Sequence, residues 1–161
     1  MNVEPDLAER VAALEARLAT LEARQATLDG PDTPETPATG GVISYAGDVH
    51  LAGDVAWTMH YSPDGILELP TERSVEVLAA LGHPIRMAVV RALLRGPATA
   101  VDLQSAVGLS SVGQLYHHLK TLTSARVVEQ HGRGDYRLAA TTVVPAMVLM
   151  LASADIAGEL H

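Results

Sequence analysis

A mainly α fold with a small β component (α+β) is predicted for this chain of 161 residues by three features. Apolar residues recur at helical spacing from Glu72 to Leu81, from Pro84 to Leu93 and from Ala100 to Val107. A turn at Gly108-Leu109 then leads into a second periodic run, with Val112, Leu115, Leu119 and Leu122 on one face. Last, the β-prone runs Val127–His131 and Tyr136–Ala139 flank Gly132-Arg133-Gly134-Asp135, a hairpin signal. Helix, tight turn, helix, hairpin is the order of a winged helix-turn-helix.

Each element has its own punctuation. The first helix stops at Gly82, and Pro84 stands where a first helical residue is expected. Ile85, Ala88, Val89, Ala92 and Leu93 make a buried stripe that Gly96-Pro97 closes. Thr99 is a good N-cap, with Asp102 in the favourable first turn. Gly108 ends that helix because glycine tolerates positive φ. Leu109 is expected to plug the turn, and Ser111 with Gln114 reads as a capping box opening the next helix. The polar strip of helix 111–124 holds Ser111, Gln114, His117, His118, Lys120 and Thr121, residue types suited to phosphates and base edges.

Two motifs carry a resemblance. Leu78-Ala-Ala-Leu81-Gly-His83-Pro84-Ile-Arg86-Met, followed by Tyr116-His117-His118-Leu-Lys120-Thr-Leu, resembles the ArsR/SmtB-type winged-helix regulators over about residues 72–160. The resemblance implies a homodimeric transcriptional regulator, a repressor, on double-stranded DNA with a pseudo-palindromic operator. Helix 111–124 would enter the major groove and the wing, 127–139, would flank it. The DNA-binding set is then Thr99, Ser111, Gln114, Tyr116, His117, His118, Lys120 and Thr121, with Arg133 at the wing tip. Two departures stand out. Helix 111–124 starts one residue early, and Arg126 stands where the family usually has Gly, so that helix end should be built differently. No cofactor is expected. The chain lacks cysteine, which excludes a thiolate metal sensor. The family's other metal site pairs Asp, His and Glu on the last helix, but Asp155, Glu159 and His161 lack that spacing.

Composition fits a small regulator. The apolar fraction of 48% suffices for a core, built without Phe and with a single Trp. One Lys against ten Arg suggests a GC-rich bacterial genome. No apolar run reaches membrane-spanning length and no basic leader opens the chain, so a cytoplasmic protein is expected, with no membrane partner. The net charge of −8 is unevenly spread: residues 75–139 hold four acids against seven bases, net +3, and every other stretch is acidic. DNA affinity should follow that local field.

The remaining segments read as follows. Residues 5–29 carry a heptad seam of Leu7, Val11, Leu14, Leu18, Leu21, Gln25 and Leu28. A parallel pairing sets Arg10, Arg17 and Arg24 against Glu15, Glu22 and Asp29 of a second chain. An antiparallel one opposes like charges. Each such exposed pair contributes only about 0.3–0.5 kcal/mol, enough to choose orientation. Residues 30–41 form a Pro/Thr/Gly-rich linker. Residues 42–69 alternate as two to four antiparallel strands, with Ser62-Pro-Asp-Gly65 as a turn before a short strand Ile66–Leu69, and Trp57, Met59 and Tyr61 as anchors. They read as a small sheet capping the domain at 70–140. Residues 141–160 form a last helix, with Thr142 as cap and Pro145 in its first turn. It is apolar nearly all round, so Met147, Leu149, Met150, Leu151 and Ile156 are assigned to a dimer interface. The reading leaves room for a small-molecule or protein effector.

The rival reading is a winged helix used for protein assembly, its coil recruiting a partner without DNA. An enzyme is not expected: the sequence offers no nucleophile–base set and no phosphate loop.

Overall fold

The computed structural model describes residues 11, 13–20, 40–132 and 134–160. Residues 13–20 are helical, with Val11, Leu14 and Leu18 exposed. Leu7, Leu21 and Leu28 of the proposed seam lie outside the described residues, as do positions 30–39 of the linker and Arg133.

The body begins with a hairpin. Strand β1 (Ile43–His50) pairs antiparallel with β2 (Asp54–Tyr61), from Ile43↔Tyr61 to His50↔Asp54. The tip is the three-residue loop Leu51-Ala52-Gly53, with Gly53 at φ +136°. Alternation sends Tyr45, Gly47, Val49, Val55, Trp57 and Met59 inward. The expected turn and strand after Tyr61 are replaced by a short helix, α1 (Pro63–Leu67). The Ser62 hydroxyl accepts the Gly65 N–H at 3.0 Å, with Pro63 at the first helical position and Asp64 in the first turn. Ser-Pro-Asp is a helix start as well as a turn signal, and Ile66–Leu69 found no strand to join.

Helices α2 (Thr71–Leu81), α3 (Pro84–Leu93), α4 (Ala100–Ala106) and α5 (Val112–Ser124) follow. Strands β4 (Glu129–His131) and β5 (Asp135–Arg137) form the wing. A third strand not read from the sequence, β3 (Ala98–Thr99), pairs with β5, giving the order β3-β5-β4. Thr99 ends that strand and caps α4 at once, so its cap signal masked its strand role. The core is aliphatic: Val89, Val90, Leu93, Leu103, Leu115, Leu119 and Leu122, closed by Val127, Val128 and Tyr136.

The last helix, α6 (Ala140–Ile156), starts two residues before the expected cap Thr142, and Ala139 caps it without a side-chain bond. Pro145 is therefore its sixth residue, past the first turn, where its missing N–H leaves the Thr141 carbonyl without its usual helical donor. The hairpin packs on α6, which explains how a small domain covers an apolar helix. Val144 and Ala146 are buried, and Met147, Leu149 and Met150 are half-buried against the core of their own chain. Of the five residues assigned to the dimer seam, only Leu151 (58%) and Ile156 (89%) remain largely exposed. A Cβ on Gly47 would lie 2.7 Å from Val144 Cγ1, so this glycine is what lets strand and helix approach. No helix among the described residues is long and apolar enough to cross a membrane.

Candidate nucleic-acid interface

The helix-turn-helix is built on reciprocal caps. Thr99 Oγ1 accepts the Asp102 N–H at 3.1 Å, and the Asp102 carboxylate accepts the Thr99 N–H at 3.4 Å and its hydroxyl at 2.7 Å. This capping box fixes the start of α4 and occupies the Thr99 side chain. In the turn, Gly108 takes φ +68° and the Leu109 N–H reaches the Gln104 carbonyl at 3.2 Å. The Gln104 amide donates back to the Leu109 carbonyl at 3.0 Å, and Leu109 packs against the core as expected.

The start of α5 differs from expectation. Ser111 Oγ accepts the N–H of Gly113, at 3.2 Å, and no capping box forms with Gln114. The Gln114 side chain makes no hydrogen bond with any described residue and lies exposed. Ser111, Tyr116, His117 and Lys120 are exposed beside it. Thr121 is half-buried, its hydroxyl donating to the His117 carbonyl at 3.2 Å.

His118 turns away from this strip. Three residues on from the buried Leu115, it flanks the core-facing side of α5. Its ring lies against that of His83, centroids 4.7 Å apart, and its Nδ1 is buried without a partner. Burial, with smaller contributions from His83, Arg86 and His117, holds its pKa below the ordinary value of 6.5. His118 is thus neutral near pH 7 and packs rather than presenting a charge to a phosphate.

The residues that carried the resemblance have structural work. The His83 Nδ1 accepts the Ile85 N–H at 3.2 Å and caps α3. From α3, Arg86 reaches back to the carbonyls of Ala79 and Ala80 at the end of α2, the first at 2.8 Å. A guanidinium on the last carbonyls of a helix satisfies orphan acceptors and complements the dipole. That role was invisible in sequence because it joins two helices across a turn.

The end of α5 is not built differently, as the missing glycine led us to expect, but keeps the usual closure with an arginine in it. Arg126 has φ 58°, the one positive φ outside glycine among the described residues. Its N–H bonds to the Thr123 carbonyl at 3.0 Å, and the Val127 N–H to the Leu122 carbonyl at 3.0 Å. This is a Schellman closure with arginine in the left-handed place that favours glycine. The wing follows: the Ala100 N–H donates to the Gly134 carbonyl at 3.0 Å, tying the wing to α4, and Arg137 Nε pairs with Glu129 across the strands at 3.3 Å. Gly132 and Gly134 take φ +74° and +84° on either side of the Arg133 position.

A family model described as a helix-turn-helix domain matches residues 81–131, the span from the end of α2 to the end of β4. That span holds α3, α4, α5 and the first strand of the wing, and β5 lies beyond it. Three solved structures are similar. One is the homodimeric winged helix-turn-helix DNA-binding domain of a possible ArsR-family regulator from Mycobacterium bovis. It is 24% identical, with 56% of this chain and 86% of that one covered and a TM-score of 0.48. Another is the transcriptional repressor BigR from Xylella fastidiosa, with 25% identity, 53% and 87% coverage and a TM-score of 0.44. The third is NolR from Sinorhizobium fredii, with 23% identity, 60% and 93% coverage and a TM-score of 0.46. A search of curated proteins gave no match.

Proposed function

We propose that this chain is a homodimeric, sequence-specific transcriptional regulator of the ArsR/SmtB type, a repressor that reads a pseudo-palindromic operator with α5 in the major groove. The observation that carries the reading is the exposed strip of Ser111, Gln114, Tyr116, His117 and Lys120 on the capped second helix of a helix-turn-helix. Gln114 is the base reader, its amide free for the donor–acceptor pair that adenine presents. Lys120 holds a phosphate, with Ser111 and His117 beside it. Arg133 extends the contact at the wing. Dimerisation is supported by apolar side chains left exposed on α2 and α6, namely Val75, Leu78, Leu151 and Ile156, and by Val11, Leu14 and Leu18 of the heptad seam. The repressor sense follows the resemblance of the two sequence motifs.

The test is binding to genomic fragments, followed by fluorescence anisotropy across a salt series. Gln114→Ala should cost about 1–3 kcal/mol of discrimination between operator and other DNA. Lys120→Ala should weaken all sequences alike and reduce the salt slope by about 1. Equal losses for both variants on every DNA would remove the assignment, and absence of binding at low salt would leave the assembly reading.

A further inference from the structure

Two adjoining hollows lie outside the α5 strip, with no α5 residue in their linings. A cleft of about 580 Å³ lies under the hairpin tip, between Leu51, Leu93, Leu94, Pro97, Leu138 and Val143. Its size falls in the range of small-molecule sites, about 300–1,000 Å³. Around the same wall, formed by Leu51 and Leu94, a smaller hollow of about 380 Å³ is lined by Arg91 and Arg95.

The charges decide what could fit. Two carboxylates rim the larger cleft: Glu129 is paired with Arg137 at 3.3 Å, and Asp54 lies at hydrogen-bond distance, 2.7 Å, from His50. Arg91 and Arg95 are exposed and make no ion pair or side-chain hydrogen bond with a described residue. Counting the Asp54 carboxylate against both guanidinium groups still leaves the local balance positive, beside an aliphatic cleft. We propose that the two hollows form one effector site for a small amphipathic carboxylate, its apolar body between hairpin and wing root and its anionic head on Arg91 and Arg95. The cleft also touches Glu129 of β4, Arg137 of β5 and residues 138–143 leading into α6. Filling it bears on the root of the wing, and this regulatory part rests on the DNA-reading proposal above.

The experiment uses the full chain without DNA and decanoate as the probe. Calorimetry should show saturable binding, one per protomer, with decanol at least tenfold weaker. Hydrogen exchange should slow at residues 51–55 and 138–143. Arg91→Gln with Arg95→Gln should weaken decanoate about tenfold or more, since the head loses its counter-charge. Leu51→Glu, on an exposed loop, should do the same by placing a carboxylate on the shared wall. No saturable binding, or unchanged affinity in both variants, would overturn the site. With the operator added, decanoate should shift DNA affinity about fivefold or more in the wild type. An unshifted affinity would overturn the regulatory part alone. A chain that binds decanoate but no DNA would overturn the DNA reading and leave the site standing.

Discussion

Two residues show how single side chains set the helix-turn-helix and its surroundings. Arg126 holds a left-handed backbone at the end of α5, which costs an L-residue with a Cβ about 1–2 kcal/mol relative to glycine. Arg126→Gly should therefore stabilise the fold by about 1 kcal/mol, read as a rise in urea midpoint at unchanged slope; a fall would mean that the arginine side chain contributes more than its backbone costs. His118 makes the opposite kind of statement. Burial, with smaller contributions from His83, Arg86 and His117, lowers its folded pKa below 6.5. The unfolded chain then binds the proton more readily than the folded one. Stability should be unaffected by this group above about pH 6.5 and fall as pH drops below it, levelling once the folded pKa is passed. His118→Gln should flatten that part of the curve of urea midpoint against pH between 7 and 5.

Among the elements, α2 and α3 behave as one clamp because Arg86 of the second ends the first. Both contacts are charge-assisted and the one to Ala80 is part-buried, so Arg86→Ala should cost about 1.5–3 kcal/mol. Arg86→Lys should restore little, since an ammonium cannot bridge two carbonyls in the same fork. Chemical denaturation of the pair of variants decides this. The hairpin and α6 form the other joint. With a Cβ only 2.7 Å from Val144, Gly47→Val forces sheet and helix apart. The expected loss is about 1–3 kcal/mol, with the fluorescence of the lone Trp57 reporting the hairpin. An unaltered midpoint would mean that the hairpin does not bear on α6.

At the scale of the whole molecule, the sheet-on-helix joint changes what a second copy would cover in the proposed dimer. Met147, Leu149 and Met150 already pack in their own chain, leaving Leu151 and Ile156 as the exposed end of α6. Ile156→Glu with Leu151→Glu should leave the monomer's thermal midpoint within about 3 °C but shift sedimentation toward the single chain. Operator affinity should then fall more than tenfold, because one reading head no longer positions the other. A variant that stays dimeric would move the interface away from α6. The basic field of residues 75–139, net +3 within a chain of −8, should make the proposed DNA affinity dependent on salt.

What the sequence determined by itself was everything written in neighbouring residues. The Gly82-His83-Pro84 boundary, the turn at Gly108, the leucine face of α5 and the odd position of Arg126 are each local choices of backbone region, so periodicity and cap chemistry suffice to place them. The tertiary structure alone decided matters that depend on residues far apart in the chain. It paired Ala98–Thr99 with the wing, turned His118 toward His83, and used the hairpin to cover α6. It also left Gln114 free of the expected cap. The physical reason is that burial and hydrogen bonding are settled by distance in space, and a pattern along the chain records only which face is apolar, not what arrives to cover it.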